Sequence, residues 1–113
     1  MTKQKCYIIG KMTGLPRESV KSKFMHASIY IQHLGFEPVN PTQLIPTEEK
    51  DEDKAMEICF EAITKCPFVF LLPDWTDSKN GKKEVAVSVV QNKAFINGFH
   101  DIKYNMDKLI EIN

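Results

Sequence analysis

Residues 68–72, Phe-Val-Phe-Leu-Leu, have no polar face. A strand that shows one side to water alternates apolar and polar side chains. A strand without that alternation needs cover on both sides, as inner strands of parallel sheets have. This run therefore predicts a sheet with helices on both faces, and the rest of the chain supplies matching pieces. Cys6-Tyr7-Ile8-Ile9 is a second apolar run, closed by Gly10. Phe36-Glu37-Pro38-Val39 reads as a short strand whose proline places it at an edge or a strand end. Ala94-Phe95-Ile96 reads as a fourth strand, stopped by Asn97-Gly98.

Helical spacing fills the gaps. Val20, Phe24, Ala27, Ile31 and Leu34 form one apolar face, and Gly35 stands where a helix is capped. Met56, Cys59, Phe60 and Ile63 mark a second helix. The acidic cluster before it (Glu48, Glu49, Asp51, Glu52, Asp53) suits the positive end of a helix dipole. Val85, Ala86, Val89 and Val90 mark a third helix, while residues 42–50 read as loop. From Phe99 to Asn113 the pattern fits either a final helix presenting Met106, Leu109 and Ile110 to a core, or a fifth strand.

Strands alternating with helices imply right-handed βαβ units, hence an α/β fold with a parallel sheet of four to five strands. At 113 residues the chain is read as one domain spanning 1–113. In such sheets ligands bind beyond the carboxyl ends of the strands, where the strand order switches. With the first and third strands adjacent, loops 10–16 and 73–81 border one pocket.

Composition narrows the partners. Fifteen basic and fifteen acidic residues cancel, and Arg17 is the only arginine. A reader of duplex nucleic acid carries a basic stripe and base-reading arginines, so no nucleic acid polymer is expected. No apolar run reaches bilayer length and the first residues lack a signal-peptide core, so no membrane is expected either and a cytoplasmic location follows. Cys6, Cys59 and Cys66 are odd in number and have no metal-spaced partners. They predict reduced, buried thiols, with no disulfide, metal or cofactor. His26, His33 and His100 read as solvated.

Glu84 is the sharpest chemical candidate. It follows a glycine-containing loop near the start of the third helix, where the helix terminus, Lys82 and Lys83 favour an ionised carboxylate. That form is the one a carboxylate nucleophile needs. The structural alternative is a capping-box glutamate with Asn80 or Gly81 as N-cap. Ser78, Asn80 and Gly81 stand where backbone amides can cradle an anion, or where an ordinary cap and turn would sit. Tyr7 can aim its hydroxyl above the end of the first strand, or simply fill a half-buried place. Trp75 either stacks on a base or packs against the domain.

Taken together, YIIGKMTGLP, VNP after the second strand and FLLPDWTDSKNGKKE resemble the nucleoside 2-deoxyribosyltransferase-like superfamily, especially its compact bacterial and phage members. The resemblance covers about residues 5 to 97. It implies a flavodoxin-like or Rossmann-like fold and cleavage or transfer at the N-glycosidic bond of a deoxynucleoside 5′-monophosphate. Glu84 takes the place of the family's nucleophile, and Tyr7 that of its hydrogen-bond partner. Ser78 matches a serine that holds phosphate, with Gly81 and the 10–14 loop (Gly10, Met12, Thr13, Gly14) completing the cradle. Three positions depart from the pattern. Lys11 replaces a proline, Asn80 replaces a glycine, and Cys59 stands where an aspartate assists the leaving base. These departures point to an alternative: a non-catalytic protein that sequesters a nucleotide-derived, ADP-ribose-type signal, such as a phage would use against host defence. The family habit also implies a homodimer or higher even oligomer, for which Met25, Ile29 and Tyr30 supply spare apolar surface.

Overall fold

A computed structural model describes residues 3–46 and 48–97. The sequence reading of the tail, residues 99–113 with His100, lies outside the described residues. The elements run β1 (Lys5–Ile9), α1 (Arg17–His33), β2 (Glu37–Val39), α2 (Pro41–Leu44), α3 (Glu52–Thr64), β3 (Phe68–Leu71), a 3₁₀ turn (Pro73–Asp77), α4 (Lys79–Val90) and β4 (Ala94–Phe95). The four strands form one parallel sheet in the order β2-β1-β3-β4. This is a flavodoxin-like α/β fold. The expectation that the first and third strands are neighbours holds, with Tyr7 beside Val69 and Ile9 beside Leu71.

The alternation along β1 sends its side chains to two separate cores. Cys6 and Ile8 join Phe70, Leu72 and the α1 residues Val20, Phe24, Ala27 and Ile31 on one face. Tyr7 and Ile9 join Val69, Leu71, Trp75 and the α3 and α4 residues Cys59, Ile63 and Val85 on the other. Both faces are thus covered, as the polar-free run 68–72 requires. Gly35 follows the last turn of α1 at φ +95°, the left-handed conformation that a helix stop of this kind uses. Asn97 closes the sheet edge. Its side chain accepts from the Leu71 N–H and donates to the Leu71 carbonyl, each at 2.7 Å.

Four local readings change. Residues 41–44 are helical, because Asn40 caps the turn by accepting from the Thr42 N–H at 3.0 Å and Pro41 begins it. Residues 73–77 form a 3₁₀ turn instead of open loop. In α4 the buried face is Gly81, Glu84, Val85 and Ser88, whereas Val89 and Val90 are exposed. The helix turns its two outer valines to solvent and its carboxylate inward. Leu34 likewise ends up exposed, just past the last turn of α1.

Candidate functional site

The site lies where β1 and β3 end. Gly10 makes this possible, since a Cβ there would fall 2.5 Å from Leu72 Cδ1. The loop after β1 is then tied to the turn after β3 through Asp74. Its Oδ1 accepts from the Lys11 N–H at 3.0 Å, and its Oδ2 from Lys23 Nζ at 2.5 Å. Lys23 also donates to the Lys11 carbonyl at 2.7 Å. Burial pushes the Asp74 carboxyl up, but the hydrogen bonds from Lys23 and from the Lys11 amide outweigh it and hold the group below its usual range.

Helix α4 begins one residue after Ser78, whose Oγ accepts from the Gly81 N–H at 2.9 Å. Ser78 is therefore the cap, not Asn80 or Gly81. Gly81 lies inside the first turn, where a Cβ would approach both Ser78 Cβ and the Trp75 carbonyl to 3.1 Å. Its smallness serves packing rather than a break in the chain. Glu84 then falls in the second turn, six residues past the cap, out of reach of a capping box. The Tyr7 hydroxyl donates to Glu84 Oε2 at 2.5 Å, joining β1 to α4 across 77 residues. The expected ionising effect of Lys82 and Lys83 is overridden. Burial raises the Glu84 carboxyl to about 7, even though contacts with the Tyr7 hydroxyl and the Cys59 thiol pull it down. The same burial lifts the Cys59 thiol to about 12, with the Glu84 charge adding to it. Tyr7 is held well above its ordinary value by burial and then by the charge of Glu84.

Glu84 lines a cavity of about 190 Å³. Gly10, Met12 and Thr13 form one wall, Ser78 and Asn80 a second, and Ile45 with the α3 residues Glu52, Ala55, Met56 and Cys59 a third. The α3 residues recur at intervals of three and four, a single helix face that begins at the cavity mouth with Glu52 and ends beside Glu84 with Cys59. A shallower depression of about 270 Å³ adjoins it through Thr13, Glu52, Ser78 and Asn80, and adds Lys11, Asp77 and Lys79.

The model of a family described as "Domain of unknown function (DUF4406)" matches residues 4–97. The chain belongs to the DUF4406 family. No curated protein and no solved structure matches it. The matched span of this DUF4406 chain holds every residue that lines the cavity.

Of the residues singled out from the DUF4406 sequence, Gly10, Met12, Thr13, Ser78, Asn80 and Glu84 meet at the cavity. Tyr7 stands behind Glu84, fully buried. Gly81 serves the helix start, and Gly14 is a turn residue at φ +85°. Trp75 packs in the core at 1% exposure and is not among the cavity-lining residues, which decides between its two readings. Glu52, Ala55, Met56 and Ile45 were not singled out. The signal for the α3 residues was the spacing of Glu52, Met56 and Cys59, which places them on one side of the helix. Among the described residues, no group of three or more His, Cys, Asp or Glu could hold a metal ion, and no helix is long and apolar enough to cross a membrane.

Proposed function

We propose that this DUF4406 protein cleaves or transfers at the N-glycosidic bond of a deoxynucleoside 5′-monophosphate, with Glu84 as nucleophile. One observation carries the reading. A buried carboxylate lines the cavity at the switch point of the sheet, and one of its oxygens is held by the Tyr7 hydroxyl at 2.5 Å. A carboxyl that titrates at about 7 is substantially ionised at neutral pH. It attacks the anomeric carbon, the base departs, and a glycosyl ester forms on Glu84. Water or a second base then opens that ester, the double displacement of retaining glycosidases. Ser78, Asn80 and the 10–14 loop are assigned to the phosphate and sugar, and no cofactor is required. The partner is a small molecule and not a nucleic acid polymer or a membrane, and the chain works in the cytoplasm. A homodimer or higher even oligomer forms through α1, where Met25, Ile29 and Tyr30 remain 47, 45 and 54% exposed.

Release of free base from a deoxynucleotide panel, followed by chromatography, tests the reading. Glu84→Gln keeps the size of the side chain but cannot form the ester. Turnover should fall by roughly 10³-fold or more, equivalent to about 4 kcal/mol or more of barrier, while ligand affinity changes little. Undiminished turnover in Glu84→Gln would remove Glu84 as nucleophile. A second reading is favoured by the thiol of Cys59 beside Glu84, which is a poor proton donor. On that reading the same cavity holds a nucleotide-derived, ADP-ribose-type signal without turning it over, and no free base appears.

A further inference from the structure

The surroundings of Glu84 set a requirement on the leaving group; the inference rests on Glu84 acting as nucleophile. When a neutral base departs, its ring nitrogen gains an electron pair and needs a proton as the bond breaks. A positioned acid contributes about 10²- to 10⁴-fold to such steps. The cavity around Glu84 holds the Cys59 thiol and the apolar side chains of Met12, Ile45, Ala55 and Met56, with the Tyr7 phenol behind. The thiol is pushed up to about 12 and the phenol is raised further by burial, so both keep their protons. The other acid among the described residues that line this cavity is Glu52. It is exposed, and lies seven residues from Cys59, about 10 Å along the α3 axis. The charges differ with depth. Glu84 is the buried carboxylate of the inner cavity, Glu52 stands at the mouth where it lines both the cavity and the adjoining depression, and that depression adds the cations Lys11 and Lys79, with Asp77 beside them.

We propose that the preferred substrate is a nucleotide whose base is a cationic heteroaromatic ring that leaves as a neutral molecule, either an N-glycosyl pyridinium or an N7-alkylated purine. Its cation faces the buried Glu84 carboxylate and its phosphate faces Lys11 and Lys79 at the mouth. A Glu84 oxygen forms a bond to C1′ as the C1′–N bond breaks. The bonding pair moves onto the ring nitrogen and cancels the positive charge, so no acid is needed. Water then adds at C1′ while the ester bond opens. Its electron pair returns to Glu84, and the water's proton passes to solvent.

The test uses the full chain with two cationic probes, nicotinamide mononucleotide and 7-methylguanosine 5′-monophosphate, each also as its 2′-deoxyribose form. The neutral comparison set is AMP, GMP, dAMP, dGMP and dTMP. Base release is expected with kcat/KM roughly 100-fold or more higher for at least one cationic probe than for any neutral one of the same sugar. The probe that is cleaved distinguishes the pyridinium from the alkylated purine. Cys59→Asp places an acid beside Glu84 and should raise neutral-base release by about 10-fold or more, its folding checked by thermal unfolding. If neutral bases are released as fast as cationic ones, and release is lost in Glu84→Gln, the leaving-group requirement falls and the nucleophile stands. If neither class releases base, both fall. A folded Cys59→Asp chain with no gain on neutral bases also overturns the requirement.

Discussion

The two faces of the sheet share the same strands and are built for different work. The face under α1 is closed by Cys6, Ile8, Val20, Phe24, Ala27, Ile31, Phe70 and Leu72, with no ionisable carboxylate among them. Ser28, bonded to Asn40, is the buried polar residue of α1. The face under α3 and α4 contains a phenol, a thiol and a carboxylate in contact, together with Trp75, whose indole nitrogen has no partner among the described residues. Along β1 one residue separates the two: Ile8 belongs to the first and Tyr7 to the second. The difference teaches that side-chain parity on a single strand can separate stability from chemistry. The first face gains from every apolar contact. The second gives up some of that gain to keep an ionisable group beside a cavity.

Three measurements bear on this contrast. The largest effect should come from the apolar face. Phe24→Ala empties a fully buried aromatic site and should cost about 3–5 kcal/mol of unfolding free energy, read by urea denaturation. A loss below about 1 kcal/mol would show that this face is not the stabilising one. Next is the pH dependence contributed by the other face. Burial raises Glu84 from its ordinary 4.5 to about 7 in the folded state. Below the ordinary value both states hold the proton, and between the two values only the folded state does. Stability should therefore fall as pH rises from about 4.5 to 7, by roughly 3 kcal/mol in all, and Glu84→Gln should flatten that slope. A wild-type profile without the slope would mean the carboxylate carries no burial cost. The smallest effect should come from the tie at the strand ends. Asp74→Asn removes the charge facing Lys23 but keeps an acceptor for the Lys11 amide. Both side chains are partly exposed, so the cost should stay below about 1 kcal/mol, a melting shift of a few degrees. A larger loss would make this tie part of the stabilising framework.

The sheet was legible because Phe68 to Leu72 and Cys6 to Ile9 have no polar face, and covered strands leave few alternatives. The first helix was legible for a similar reason, since Val20, Phe24, Ala27 and Ile31 repeat at one period. Helix α4 was harder. Its buried stripe is Gly81, Glu84, Val85 and Ser88, so an apolar count points to the wrong side. Gly81 reads as loop until its contacts with Ser78 and Trp75 are visible. The Tyr7–Glu84 pair was suggested by resemblance alone, because no local spacing relates residues 77 apart. The height of the Glu84 carboxyl was also hidden. Sequence shows the neighbouring lysines, whereas burial decides the outcome. Asn40-Pro41 did hold a helix-start signal, which its turn-like composition masked.

Trp75 is the only tryptophan in the sequence, and it lies in the 3₁₀ turn that joins β3 to α4. Its carbonyl accepts from the Ser78 N–H at 3.2 Å, and Ser78 in turn lines the cavity. The chain thus carries one indole chromophore, enclosed at 1% exposure and one hydrogen bond away from a cavity wall. Its emission is a single, unmixed optical signal from the junction between fold and cavity. Loss of the fold exposes it to water, and a ligand that shifts Ser78 perturbs it while it stays enclosed. Unfolding and occupancy are therefore separable in one spectrum without any added label.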